Sequence, residues 1–221
     1  MRKELLCYIL LTVFRFTVYA QDNTTPGKGL YTSDFVIDGI PRYITFYIPA
    51  KYGSKSTYPL VLFLHGMNES AKNAIKVYGD IIHAKADSTD CIVVYPDAVA
   101  GHWNDYINDS MPAPGSVNDA GFISIMIDYF VQQYHCDPNR VYATGFEAGG
   151  KMTYRLSCNI PKKITAIAAF ISSPDETAKK CAAGESVAIM DTNKFSAQTG
   201  RRPDVIAINE AWNFFMEHVK K

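Results

Sequence analysis

From residue 31 onward the chain switches repeatedly between two hydrophobic periods. "YTSDFVIDGIPRYITFYIP" alternates apolar and polar residues on either side of Asp38-Gly39, which predicts a β-hairpin. "YPLVLFLHG" is apolar throughout and ends in glycine, the mark of a strand buried on both faces. "NAIKVYGDIIHAKAD" returns to helical spacing, and "CIVVYPD" is a second buried strand. "DAGFISIMIDYFVQQY" predicts a helix whose apolar face is Phe122, Ile125, Met126, Tyr129 and Phe130. "NRVYATGF" reads as a strand, "GGKMTYRLSC" as a helix, and "ITAIAAFISS" and "SVAIMD" as strands. "PDVIAINEAWNFFMEHVKK" closes the chain as a helix. Apolar strands alternating with amphipathic helices predict an α/β fold: a mainly parallel central sheet, helices on both faces and right-handed crossovers.

The 221 residues suit one domain, expected over residues 31–221 behind a flexible lead-in at 21–30. Basic and acidic side chains balance at 22 each with no long run of either sign, so nothing points to nucleic acid as a partner. The N-terminus, "MRKELLCYILLTVFRFTVYA", has Arg2 and Lys3 ahead of an apolar run, then small residues at Val18 and Ala20. This is a signal-peptide pattern over residues 1–20, too short to span a bilayer; no membrane span is expected after cleavage and a secreted or periplasmic location follows. Arg15 late in the apolar region is atypical for such a signal. Export would allow Cys91, Cys136, Cys158 and Cys181 to pair. A Cys158–Cys181 bridge would staple the segment between them, while Cys91 and Cys136 suit buried thiols equally well. Asn23, Asn68 and Asn108 lie in N-x-S/T sequons.

The chemistry gathers at "VYATGFEAGGKMTYRL", residues 141–156, where a strand runs through Gly145-x-x-x-Gly149 into a helix. With serine at 147 this would be the nucleophile elbow G-x-S-x-G; the chain has Glu147. With "PLVLFLHG", "CIVVYPD", "HWND", "VNDAGFISIMIDYF" and "YHCDPNRVYATGF" in order, the sequence resembles the secreted feruloyl-esterase and polyhydroxybutyrate-depolymerase-like family of α/β-hydrolases. The resemblance covers residues 33–175 well and implies the α/β-hydrolase fold, C-terminally shortened, and an ancestry in carboxylic-ester cleavage. It puts the nucleophile at Glu147 and the oxyanion-hole donors at the backbone N–H groups of Met67 and Ala148. It implies an acid near Asp191, Asn193 or Lys194. Its base lies beyond the helix resembling "AINEAWNFF", where this chain stops at Lys221.

Three readings of function result. In the first, the chain is a catalytically impaired ester-hydrolase relative that binds an acylated carbohydrate or aromatic ester. Its ligand cleft would lie near His102, Trp103, Asn104 and Asp105, with Trp103 either a stacking platform or a core residue. In the second, Glu147 works in a non-standard active site, with Asp191 or His102 in an unusual role. In the third, the chain is a shortened copy whose last strand is left as an open sheet edge. No metal or other cofactor is called for. A Glu147 carboxylate folded back onto the N–H groups of Met67 and Ala148 would fill the hole itself.

Overall fold

The computed structural model describes residues 26–104, 117–172, 181, 187–190, 192 and 205–220. The hairpin forms as expected: β1 (Gly29–Ile37) and β2 (Ile40–Ile48) pair antiparallel, and Asp38 and Gly39 both take positive φ at its tip. Five further strands follow. These are β3 (Tyr58–Leu64), β4 (Ile92–Pro96), β5 (Cys136–Phe146), β6 (Ala166–Phe170) and β7 (Ala188–Ile189). The sheet order is β1-β2-β4-β3-β5-β6-β7, antiparallel across β1-β2-β4 and parallel from β4 onward. Strands β3 and β4 are buried along their whole length because helices cover both faces, which explains their unbroken apolar runs.

Helices α1 (Ala71–Thr89), α2 (Asp119–Gln133), α3 (Ala148–Asn159) and α4 (Val205–Glu217) supply the two outer layers. One core joins α2 and α3 to one sheet face through Phe122, Met126, Phe130, Met152 and Leu156. The other joins α1 and α4 to the opposite face through Tyr78, Ile82, Trp212 and Phe215. This is the expected α/β-hydrolase arrangement. The tail after α4 is tied to the base of the sheet: the Tyr142 hydroxyl donates to the His218 carbonyl at 2.7 Å, and the Lys220 amide to the Asn139 carbonyl at 2.9 Å.

Two expectations need correction. Ile125 is 46% exposed, and the buried stripe of α2 runs instead through Phe122, Ile123, Met126, Ile127 and Phe130. Residues 122, 126 and 130 lie one above the other on a 3.6-residue helix; Ile125 falls to one side of that line. Among the described residues there is no disulfide: Cys91, Cys136, Cys158 and Cys181 are thiols. Cys91 precedes β4 and Cys136 opens β5, and β3 lies between those strands, so their separation exceeds the reach of a disulfide. Burial drives the Cys91 thiol up to about 12 and raises that of Cys136 well above its ordinary value. The expected signal peptide, the sequons at Asn23 and Asn108, and Asp105, Asp191, Asn193 and Lys194 lie outside the described residues. Among the described residues no helix is long and apolar enough to cross a membrane.

Candidate active site

Strands β3 and β5 are parallel neighbours, so their C-terminal ends lie side by side, and the two turns leaving them build the site. The β5–α3 turn is an elbow in geometry as well as in spacing. Glu147 has φ 51° and ψ −117°, a backbone conformation that costs a non-glycine residue about 1–3 kcal/mol and gathers at functional sites. Its N–H donates to the Phe170 carbonyl at 3.0 Å, fixing the turn to the end of β6, where Ile171 also has positive φ.

Glycines make the bend possible by letting backbone touch backbone. A Cβ on Gly149 would stand 2.2 Å from the Leu64 carbonyl oxygen and 2.6 Å from that of His65. One on Gly145 would stand 2.6 Å from the Leu64 oxygen. Neither contact involves a side chain that could move aside. The elbow is thereby pressed onto the end of β3, and Ala148, the first residue of α3, comes next to the His65-Gly66 turn.

That second turn is held by side chains. His65 is fully buried; Ala98 N–H donates to its Nε2 at 3.1 Å, so Nε2 carries no proton, and Nδ1–H donates to the Gly66 carbonyl at 2.8 Å. Burial lowers the His65 pKa, in keeping with this neutral tautomer. Trp103 Nε1 donates to the His65 carbonyl at 2.9 Å, with its ring 5.0 Å from the imidazole. Gly66 N–H reaches Glu69 Oε2 at 3.3 Å, and Asn68 N–H donates to the Gly101 carbonyl at 3.0 Å. Met67 stands exposed between them. Among the described residues no backbone carbonyl accepts the N–H groups of Met67 and Ala148.

Glu147 is exposed, and its carboxylate makes no capping hydrogen bond to α3. One carboxylate oxygen lies 3.2 Å from where a Gly66 Cβ would be, over the mouth between the two turns. The self-filling arrangement is therefore not adopted: the carboxylate stands in front of Gly66 without a hydrogen bond to Met67 or Ala148.

The expected cleft residues divide. His102 is exposed. Trp103 is 5% exposed, inside the core, and its indole N–H is already committed, so it is the core tryptophan and not the stacking platform. Asn104 is structural as well, donating from its amide to Asp119 Oδ2 at 2.7 Å and from its side chain to the Val117 carbonyl at 3.0 Å. No described imidazole hydrogen-bonds to Glu147. His83 stacks on Tyr47, the His135 ring is exposed ahead of β5, and His218 Nδ1 meets the Phe214 carbonyl at 2.7 Å. Among the described residues there is no group of three or more His, Cys, Asp or Glu side chains able to hold a metal ion.

Sequence reasoning missed Arg42 and Asp119, a buried ion pair at 2.6 Å. A signal existed for Arg42. It shares the strand phase of Ile44, Phe46 and Ile48, so the alternation that buries those residues buries the guanidinium too.

An α/β-hydrolase scaffold is the class of protein that this sheet, elbow and paired turns define. The family follows from sequence: residues 43–211 match the model of the Esterase PHB depolymerase family, and the chain belongs to it. It is 26% identical to acetylxylan esterase A of Emericella nidulans, over 83% of this chain and 64% of that one. It is 30% identical to feruloyl esterase B of Thermothelomyces thermophilus, over 72% of this chain and 53% of that one. With the poly(3-hydroxybutyrate) depolymerase of Ralstonia pickettii it shares 32% identity over 52% of this chain and 26% of that one. The chain thus spans less than two thirds of the length of each of these relatives. Among solved structures, a thermostable esterase superposes with a TM-score of 0.63 at 17% identity, covering 86% of this chain and 63% of that one, which establishes the fold.

Proposed function

We propose that the protein is an exported member of this family that binds an acylated carbohydrate or an aromatic ester at the elbow and hydrolyses esters little or not at all. The observation that carries the reading is Glu147 itself: the backbone of a nucleophile turn bearing a carboxylate with no hydrogen-bonded base beside it among the described residues. An ester carbonyl would be received by the N–H groups of Met67 and Ala148, which stabilise charge on the oxygen. Attack by Glu147 would give a tetrahedral adduct that must expel either the carboxylate or the ester's alkoxide. Carboxylate is by far the weaker base and the better leaving group, so the adduct returns to ester. A serine avoids this fate, because the acyl-enzyme it forms is another ester. Glutamate in place of serine therefore keeps a place for the carbonyl and removes the productive step. Export is supported by the basic residues, apolar run and small residues of positions 1–20.

The test is an assay of purified protein with p-nitrophenyl acetate and methyl ferulate, beside a Glu147→Ala variant. Equal background rates are expected, together with a thermal shift on adding feruloylated or acetylated oligosaccharide. Turnover by the parent protein that disappears in Glu147→Gln would overturn impairment and install the second reading, a hydrolase working through Glu147. The retained strain at residue 147 is the observation in favour of that second reading.

A further inference from the structure

Asp119 opens α2 and is fully buried. One carboxylate oxygen takes the bond from Arg42 Nη2 at 2.6 Å, and the other takes the Asn104 amide at 2.7 Å. The same Arg42 nitrogen donates to the Asp97 carbonyl at 3.2 Å. One ion pair thus grips both ends of the segment 97–104. Between those ends the segment braces the turn that follows β3. Asp97 Oδ1 accepts the Ala71 amide at 2.7 Å, Ala98 N–H meets His65 Nε2, the Gly101 carbonyl accepts Asn68 N–H, and Trp103 holds the His65 carbonyl.

The pair is a poor stability device. Arg42 is 1% exposed, yet its Nε and Nη1 are buried without hydrogen-bond partners among the described residues, and the ring of Phe122 lies 4.0 Å from the guanidinium carbon. A buried pair left partly unsatisfied is often matched in stability by apolar residues of similar volume, whereas apolar residues cannot hold a carbonyl and an amide at fixed points.

We infer that Arg42 and Asp119 are positioning residues for the ligand-binding turn, acting through the segment 97–104 to set the Met67 N–H against Ala148. The inference rests on the proposed reading of those two N–H groups as the ligand's donors. Its test is amide hydrogen exchange followed by NMR, with methyl ferulate binding measured in parallel. In Asp119→Asn, exchange at Asn68, Ala98 and Asn104 should quicken at least tenfold relative to Ala143 and Ala168 in β5 and β6, and methyl ferulate binding should weaken at least fivefold. Arg42→Lys should give the same local pattern. Uniform acceleration at all five amides would reduce the pair to a general stabiliser and overturn the inference.

Should neither variant fold, native-state exchange of the unmodified protein in rising urea decides. Asn68, Ala98 and Asn104 should open together, with one common free energy and one common denaturant slope; openings at unrelated energies would overturn the inference. Absence of methyl ferulate binding to the unmodified protein counts against the proposed function alone, since the exchange results stand without a ligand.

Discussion

The turns after β3 and β5 lie side by side and serve one site, but they are held by opposite means. The elbow at 145–150 is shaped by what its residues lack: Gly145 and Gly149 bring backbone onto the Leu64 and His65 carbonyls. The turn at 65–69 is shaped by what its residues carry: an imidazole, an indole from residue 103 and the Glu69 carboxylate. A turn made by omission tolerates almost any residue at its exposed apex and no added atom at its glycines. A turn made by hydrogen bonds is vulnerable at every donor. This difference explains how residue 147 can be a glutamate at the apex of an intact elbow, because the elbow's shape does not depend on that side chain.

The strongest way to break the comparison is Gly149→Ala. One methyl group set against two carbonyls should cost at least about 3 kcal/mol, read as a lower urea midpoint or loss of cooperative folding. A change below about 1 kcal/mol would mean that the elbow is looser than its contacts indicate. Next comes His65→Ala, which strands the Ala98 N–H and leaves a cavity beside Trp103. About 2–4 kcal/mol of destabilisation is expected, with a change in the near-UV circular dichroism of the indole.

Glu147→Gly should act in the other direction, stabilising by about 1 kcal/mol as the positive φ is relieved and no hydrogen bond of the side chain is lost. Loss of stability in its place would show that the carboxylate makes contacts worth more than the strain. Glu147→Ser is expected to leave p-nitrophenyl acetate turnover at background, since no described imidazole hydrogen-bonds to residue 147 and a hydroxyl without a base is a weak nucleophile.

The gentlest probe is pH. Burial holds His65 and His83 below their ordinary 6.5, so the unfolded chain takes up those protons first. Their contribution to stability is complete above about pH 6.5, declines as pH falls below it, and levels off beneath the folded-state values. A urea midpoint that stays flat between pH 7.5 and 5 would contradict the buried neutral imidazoles.

Most of the fold was legible because its cues are local. Period-two alternation around Asp38-Gly39, unbroken apolar runs at 58–64 and 92–96, and Gly145-x-x-x-Gly149 ahead of a helix each follow from a few adjacent residues. The backbone placement of the candidate site was legible, since Met67, Glu147 and Ala148 fall on the two adjoining turns. It was misleading in its side chains. "HWND" looked like a cleft, but Trp103 and Asn104 spend their polar groups on His65 and Asp119, partners 38 and 15 residues away. Arg42 and Asp119 are 77 residues apart, and no local window shows that their charges meet. Long-range hydrogen bonding was the missing information, and only the sheet order supplies it.

The two buried sulfhydryl groups at the starts of β4 and β5 have a practical use. A thiolate is the species that reacts with maleimides, and with Cys91 driven up to about 12 almost none exists in the native protein. Cys91 and Cys136 should therefore take up label only as the molecule opens. Peptide-resolved alkylation then becomes an internal clock for unfolding, with one sulfur ahead of the fourth strand and the other at the base of the fifth.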